Sequence, residues 1–127
     1  MADRRIREFV MNTIDSFAKL QILMLFAERT IRKGSAREIV QRTARDIWSV
    51  TEALEDLVAA GILRSQTVDH ETIYIYDPSP EQREMIELIT KAYNDPLSRD
   101  DLYGLIRDLA ATSLSQRGYG EALWNIT

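Results

Sequence analysis

SAREIVQRTARDIWSVTEALEDLVAAGILRSQTVDHETIYIY, residues 35–76 of a 127-residue chain, reads as two short helices, a glycine stop and two β-rich runs joined by a polar turn. Ser35 has the chemistry of an N-cap, and Glu38 three residues on can complete a capping box. Ile39, Val40 and Ala44 then mark one helical face. A turn near residues 43–46 leads into a second helix, whose apolar positions Ile47, Val50, Leu54, Leu57 and Val58 fall in one stripe. Gly61 stops that helix, because glycine adopts the left-handed conformation of a helix end without steric cost. Residues 62–77 are strand-like: Ile73 and Ile75 alternate with Tyr74 and Tyr76, and residues 68–72 are expected to form the turn.

Outward from this stretch, residues 1–14 hold a short amphipathic helix, with Ile6, Phe9, Val10 and Thr13 on one face and Arg4, Arg5, Arg7 and Glu8 on the other. Residues 17–27 form a helix with little polar surface, since Phe17, Leu20, Leu23 and Met24 lie on one side and Ile22, Leu25 and Phe26 on another. Such a helix must be covered most of the way round, by the terminal helices of the chain or by a second subunit. Ser79, Pro80 and Gln82 announce a further helix, with Met85, Ile86, Ile89, Ala92 and Tyr93 as its buried face. Asn94, Asp95 and Pro96 break it, and Ser98 with Asp101 is expected to open the next, packed through Leu102, Leu105, Ile106 and Leu109. After Ser113 the periodicity fades, although Leu123, Trp124 and Ile126 suggest an end that docks. The chain therefore reads as one domain of three parts: an N-terminal helix (1–14), a core (15–78), and C-terminal helices with a tail (79–127).

Composition narrows the function. With 45% hydrophobic residues the chain can bury a core, and its pattern contains no apolar run long enough for a bilayer. Asp3 and Glu8 among the N-terminal arginines leave no secretory h-region, so a cytoplasmic protein is expected. Zero cysteines and one histidine, His70, argue against thiol chemistry and zinc; neither a metal nor another cofactor is expected. The carboxylate pairs Asp100 with Asp101, Glu52 with Asp56, and Glu84 with Glu87 sit where capping and solubility explain them. Without a phosphate loop or an activated nucleophile, the chain does not read as an enzyme. Its net charge of −4 is uneven: residues 1–45 carry ten Arg/Lys against five Asp/Glu, and the remainder six against fifteen. A binder of nucleic acid needs a local basic face rather than a basic total.

This layout resembles the winged helix-turn-helix superfamily of bacterial transcriptional regulators, and is most similar in order to regulators of the MarR, ArsR and PadR kinds. The resemblance spans residues 17–77 and implies a mainly α fold with a small β-hairpin wing, plus N- and C-terminal helices. It implies a regulator of transcription that binds duplex DNA, as a homodimer joined by its terminal helices. In such folds the second helix of the pair enters the major groove while the first helix and the wing meet phosphates. Residues suited to phosphate contact are Arg32, Lys33, Ser35, Arg37, Arg42 and Arg45, with Arg64 on the wing. Trp48 and Ser49, in the first turn of the second helix, are suited to the groove.

Several residues point elsewhere. Glu52 and Asp56 lie one turn apart on the second helix, and the wing tip reads Val68, Asp69, His70, Glu71, Thr72, which repels phosphate unless the histidine is charged. The alternative reading is a winged helix that binds a protein partner through Trp48, Glu52 and Asp56 and does not bind DNA. A third reading is a ligand-responsive regulator with Tyr74, Tyr76, Tyr93 and Tyr103 near an apolar cleft.

Overall fold

The computed structural model describes residues 4–114, with side chains described as far as Ala111. Its elements follow in the order α1 (Arg4–Thr13), α2 (Phe17–Ala27), β1 (Lys33–Ser35), α3 (Ala36–Thr43), α4 (Ile47–Ala59), β2 (Leu63–Val68), β3 (Glu71–Tyr76), α5 (Pro80–Tyr93) and α6 (Pro96–Leu114). This is a winged helix: α2, α3 and α4 form the helical core, β2 and β3 the wing, and α1, α5 and α6 pack together beside them. The expected docking of Leu123, Trp124 and Ile126 lies outside the described residues. Among the described residues, no single helix is long and apolar enough to cross a membrane.

α2 is the centre of the core. Ser16 caps it, its hydroxyl oxygen accepting from the Lys19 N–H at 3.2 Å. Leu20, Ile22, Leu23, Met24 and Phe26 are all buried, which no single stripe on a helix allows. The cover comes from α3, α4, α5 and α6 of the same chain. The apolar excess that pointed to a second subunit is thus largely absorbed within one molecule.

Both α2 and α4 end in a Schellman motif, but with different residues at the left-handed position. At the end of α4, Ile62 N–H donates to the Leu57 carbonyl (3.0 Å) and Gly61 N–H to that of Val58 (2.9 Å), with Gly61 at φ 80°. At the end of α2, Thr30 N–H donates to the Leu25 carbonyl (3.0 Å) and Arg29 N–H to that of Phe26 (3.1 Å). There the left-handed residue is Arg29, at φ 62°, where an L side chain crowds its own backbone. At α5 the Ser79 capping box is complete, and Gln82 of that box also donates to the Ala60 carbonyl at 2.6 Å, tying the start of α5 to the end of α4.

Four local expectations are corrected. β1 is a third strand, too short for alternation to reveal, and it makes the sheet order β1-β3-β2, antiparallel throughout. The wing turn is tighter than residues 68–72: Val68 pairs with Glu71, and only Asp69 (φ 51°) and His70 (φ 66°) form the loop. Two successive left-handed residues match the twist of the flanking strands, and aspartate tolerates that conformation better than most. Ala44 is not on the buried face of α3; it is the left-handed C-cap (φ 57°), and Thr43 is buried instead, its hydroxyl donating to the Ile39 carbonyl at 2.8 Å. Finally, α6 is opened by Asp95 rather than Ser98, since the Asp95 carboxylate accepts from both the Ser98 N–H (3.1 Å) and hydroxyl (2.7 Å) while Pro96 occupies the first turn.

Candidate nucleic-acid interface

The Ser35 capping box fixes where α3 starts. Glu38 N–H donates to the Ser35 hydroxyl oxygen (3.2 Å), and Ser35 N–H donates to the Glu38 carboxylate (3.3 Å). Ser35 is buried, so it acts as the hinge post of the helix while Arg37 and Arg42 stand exposed on α3. Arg45, in the turn to α4, is held from the other side: its Nε donates to Gln21 Oε1 on α2 at 2.7 Å. A guanidinium fixed at one nitrogen is a more rigid anion contact than a free surface arginine.

α4 begins at Asp46, whose carboxylate accepts from the Ser49 hydroxyl (2.7 Å) and N–H (2.8 Å). Those two bonds hold the Asp46 carboxyl below the usual aspartate range, the hydroxyl contributing most. The Ser49 hydroxyl proton is therefore committed to the cap, and only its oxygen lone pairs are left for another donor. Beyond the cap stand Trp48, 82% exposed, and Ile47, 44% exposed. Ile47 stands outside the buried stripe that helical spacing assigns it to; Val50, Ala53, Leu54 and Leu57 form that stripe, because the first residue after the cap still points away from the core.

The acidic pair on α4 is split by a contact that the sequence did not disclose. Lys19, with its side chain 14% exposed, places Nζ 2.6 Å from Asp15 and 2.9 Å from Asp56. Burial lowers the Lys19 pKa, but the hydrogen bonds and charges of Asp15 and Asp56 together outweigh it and leave the group raised above 10.5. One half-buried ammonium thus bridges Asp15 and Asp56, locks α2 to α4 and offsets part of the charge of Asp56, while Glu52 and Glu55 are further exposed acids of that helix. A raised folded-state pKa means stabilisation that is complete below about 10.5 and lost as pH climbs through the folded value. Lys19→Met is expected to lower stability by about 2 kcal/mol at neutral pH, the scale of charge-assisted bonds lost at a half-buried site. Urea denaturation at pH 7 and above pH 11 should show that deficit shrinking at high pH; a constant deficit would mean that only packing was lost.

The remaining candidates lie on the sheet. Register sets Lys33 and Arg64 opposite Ile75, one on each side, so the three side chains share one face. Arg64 pairs loosely with Asp77 at 3.5 Å, both well exposed. Arg32 departs from the others: with Arg29, Arg83 and Lys91 it lines a cavity between the α2–β1 connection and α5. The basic run from Arg29 to Arg45 is therefore not one patch, since Arg37, Arg42 and Arg45 belong to α3 and its turn. The four tyrosines do not gather either. Tyr74 is buried, Tyr76 stacks on Phe26 at 5.9 Å, and Tyr93 and Tyr103 meet each other at 6.5 Å, with Phe17 edge-on to Tyr103 at 5.4 Å. Among the described residues, no three His, Asp or Glu side chains are grouped to hold a metal ion.

Among solved structures, the chain is similar to HlyU from Vibrio cholerae, with a TM-score of 0.57 and 21% identity over 75% of this chain and 100% of that one. It is also similar to the transcriptional regulator BldR from Sulfolobus solfataricus, at 16% identity and a TM-score of 0.48, over 97% of this chain and 79% of that one. At these identities the likeness is one of fold. No protein-family model matches the chain, and no curated protein matches it.

Proposed function

We propose that this winged helix is a DNA-binding regulator of transcription that acts as a homodimer, with α3, the following turn and the first turn of α4 against duplex DNA. The observation that carries the reading is the pair of exposed arginines, Arg37 and Arg42, with the half-buried Arg45 held by Gln21, beside a tryptophan that is 82% exposed. Lys19 supports it by offsetting part of the charge of Asp56 on the groove helix. The exposed Met11 on α1 and Leu97 at the start of α6 are suited to a contact between terminal helices of two copies. In this reading the wing approaches DNA with the Lys33 and Arg64 face, because its acidic tip is unsuited to phosphate.

Binding to a duplex from the chain's own upstream region, followed by fluorescence anisotropy across salt concentrations, tests this. Three arginines in each of two copies should give log K against log salt a slope of about −5. Absence of a specific complex at low salt, or a slope near zero, would overturn the reading. The adjacent apolar side chains Ile47 and Trp48 favour one second reading, a module that grips a protein partner with the tip of α4. In that case Trp48→Ala abolishes partner binding while the arginine variants leave every binding activity intact.

A further inference from the structure

The cavity at the end of β3 has a composition that the DNA reading does not use. It encloses about 600 Å³, a volume typical of small-molecule sites, and opens between the end of α2, the C-terminal end of β3 and α5. Arg29, Arg32, Arg83 and Lys91 surround it, against a single carboxylate, Glu87. Arg29, Arg32 and Lys91 form no ion pair with another described residue. Ala27, Ile31, Ile75 and Ile86 give it aliphatic wall between these charges. Two aromatic rings also line it and neither offers a free face, because Phe26 is buried and stacked on Tyr76, and Arg83 lies over the Tyr76 ring, 5.7 Å from its centroid.

Arg29 adds an independent observation. It holds a left-handed backbone position that glycine fills at the equivalent end of α4, so its side chain is kept at a conformational cost. Its product is a fourth cation at the cavity rim.

We infer that this cavity binds a small amphipathic organic anion, its phosphate or carboxylate head among Arg29, Arg32, Arg83 and Lys91 and its aliphatic body against Ile31, Ile75 and Ile86. The excess of cations selects a negative head, with arginine forks suited to a phosphate or carboxylate. The aliphatic wall and the two covered rings, Phe26 and Tyr76, select a flexible chain over a stacked planar ring. The site joins α5 to the α2–β1 connection and the base of the wing, so occupancy ties the wing to the terminal helices. This inference stands apart from DNA binding and is measured without DNA.

Isothermal titration of the full chain with hexyl phosphate, hexanoate, inorganic phosphate and hexanol tests it. Hexyl phosphate or hexanoate should bind, whichever head is preferred, while inorganic phosphate and hexanol bind at least tenfold more weakly. Arg32→Gln with Lys91→Gln should weaken the bound anion at least tenfold, and Arg37→Gln on α3 should leave it unchanged. Arg29→Gly separates function from folding, since it should raise the melting temperature by relieving the backbone and at the same time weaken the anion. Absence of heat with both amphipathic anions at millimolar concentration overturns the inference. So does equal binding of hexanol, or affinity that none of the cavity variants changes.

Discussion

Phe26→Ala should cost about 3–5 kcal/mol, the range for deleting a fully buried phenylalanine and leaving an incompletely collapsed cavity. Phe26 is 1% exposed in the most enclosed helix of the fold, and its ring is the surface on which Tyr76 lies, 5.9 Å away and nearly parallel. The loss would therefore propagate to β3, whose last residue is Tyr76, and to α5 through the guanidinium of Arg83 beside the same ring. Burial holds the Tyr76 hydroxyl pKa up, with Glu87 adding to the effect and Arg83 opposing it, which places that hydroxyl in a partly dehydrated setting. Domains of this size are stable by about 5–15 kcal/mol, so the variant should have a far lower urea midpoint with an unchanged slope. Phe26→Leu should recover most of the difference, because it restores volume if not shape. A midpoint close to wild type for Phe26→Ala would mean that the α2–β3 contact is not part of the folded core.

The second large effect belongs to DNA. Arg42→Ala combined with Arg45→Ala in the proposed dimer removes four cations from the interface, since each copy contributes two. If each neutralises one phosphate, the salt slope should become shallower by about 3.6 and affinity at 0.1 M salt should fall by about three orders of magnitude. Stability should change little, as Arg42 is exposed and Arg45 gives up one hydrogen bond to Gln21. That combination distinguishes an interface from a solvated helix face: a small affinity change at constant stability would assign the arginines to solvation alone. The fall should be the same on matched and mismatched duplexes, because phosphate contacts position the protein without reading sequence.

Much of the fold is legible in the sequence. The caps at Ser35 and Ser79, the stop at Gly61 and the limits of α2 rest on hydrogen bonds and torsions within a few residues, so local chemistry specifies them. Two features at the same scale misled. Asp95 took the capping role expected of Ser98 because a carboxylate one residue before a proline can accept from the exposed N–H groups behind it. Ile47 looked like the start of a stripe although a helix's first residue need not face its core. β1 left no trace because three residues are too few for a period of two to show.

The candidate site divides differently. Sequence alone determined that this chain forms a winged helix with a basic first half, because helix periodicity, capping and composition are local or additive properties. Tertiary structure decided which charges act together. It paired Asp56 with Lys19, pinned Arg45 to Gln21, set Lys33 and Arg64 on either side of Ile75, and sent Arg29 and Arg32 to a cavity shared with α5. Those partners lie far apart along the chain, and the electrostatics of a charged group depends on its neighbours in space rather than in sequence.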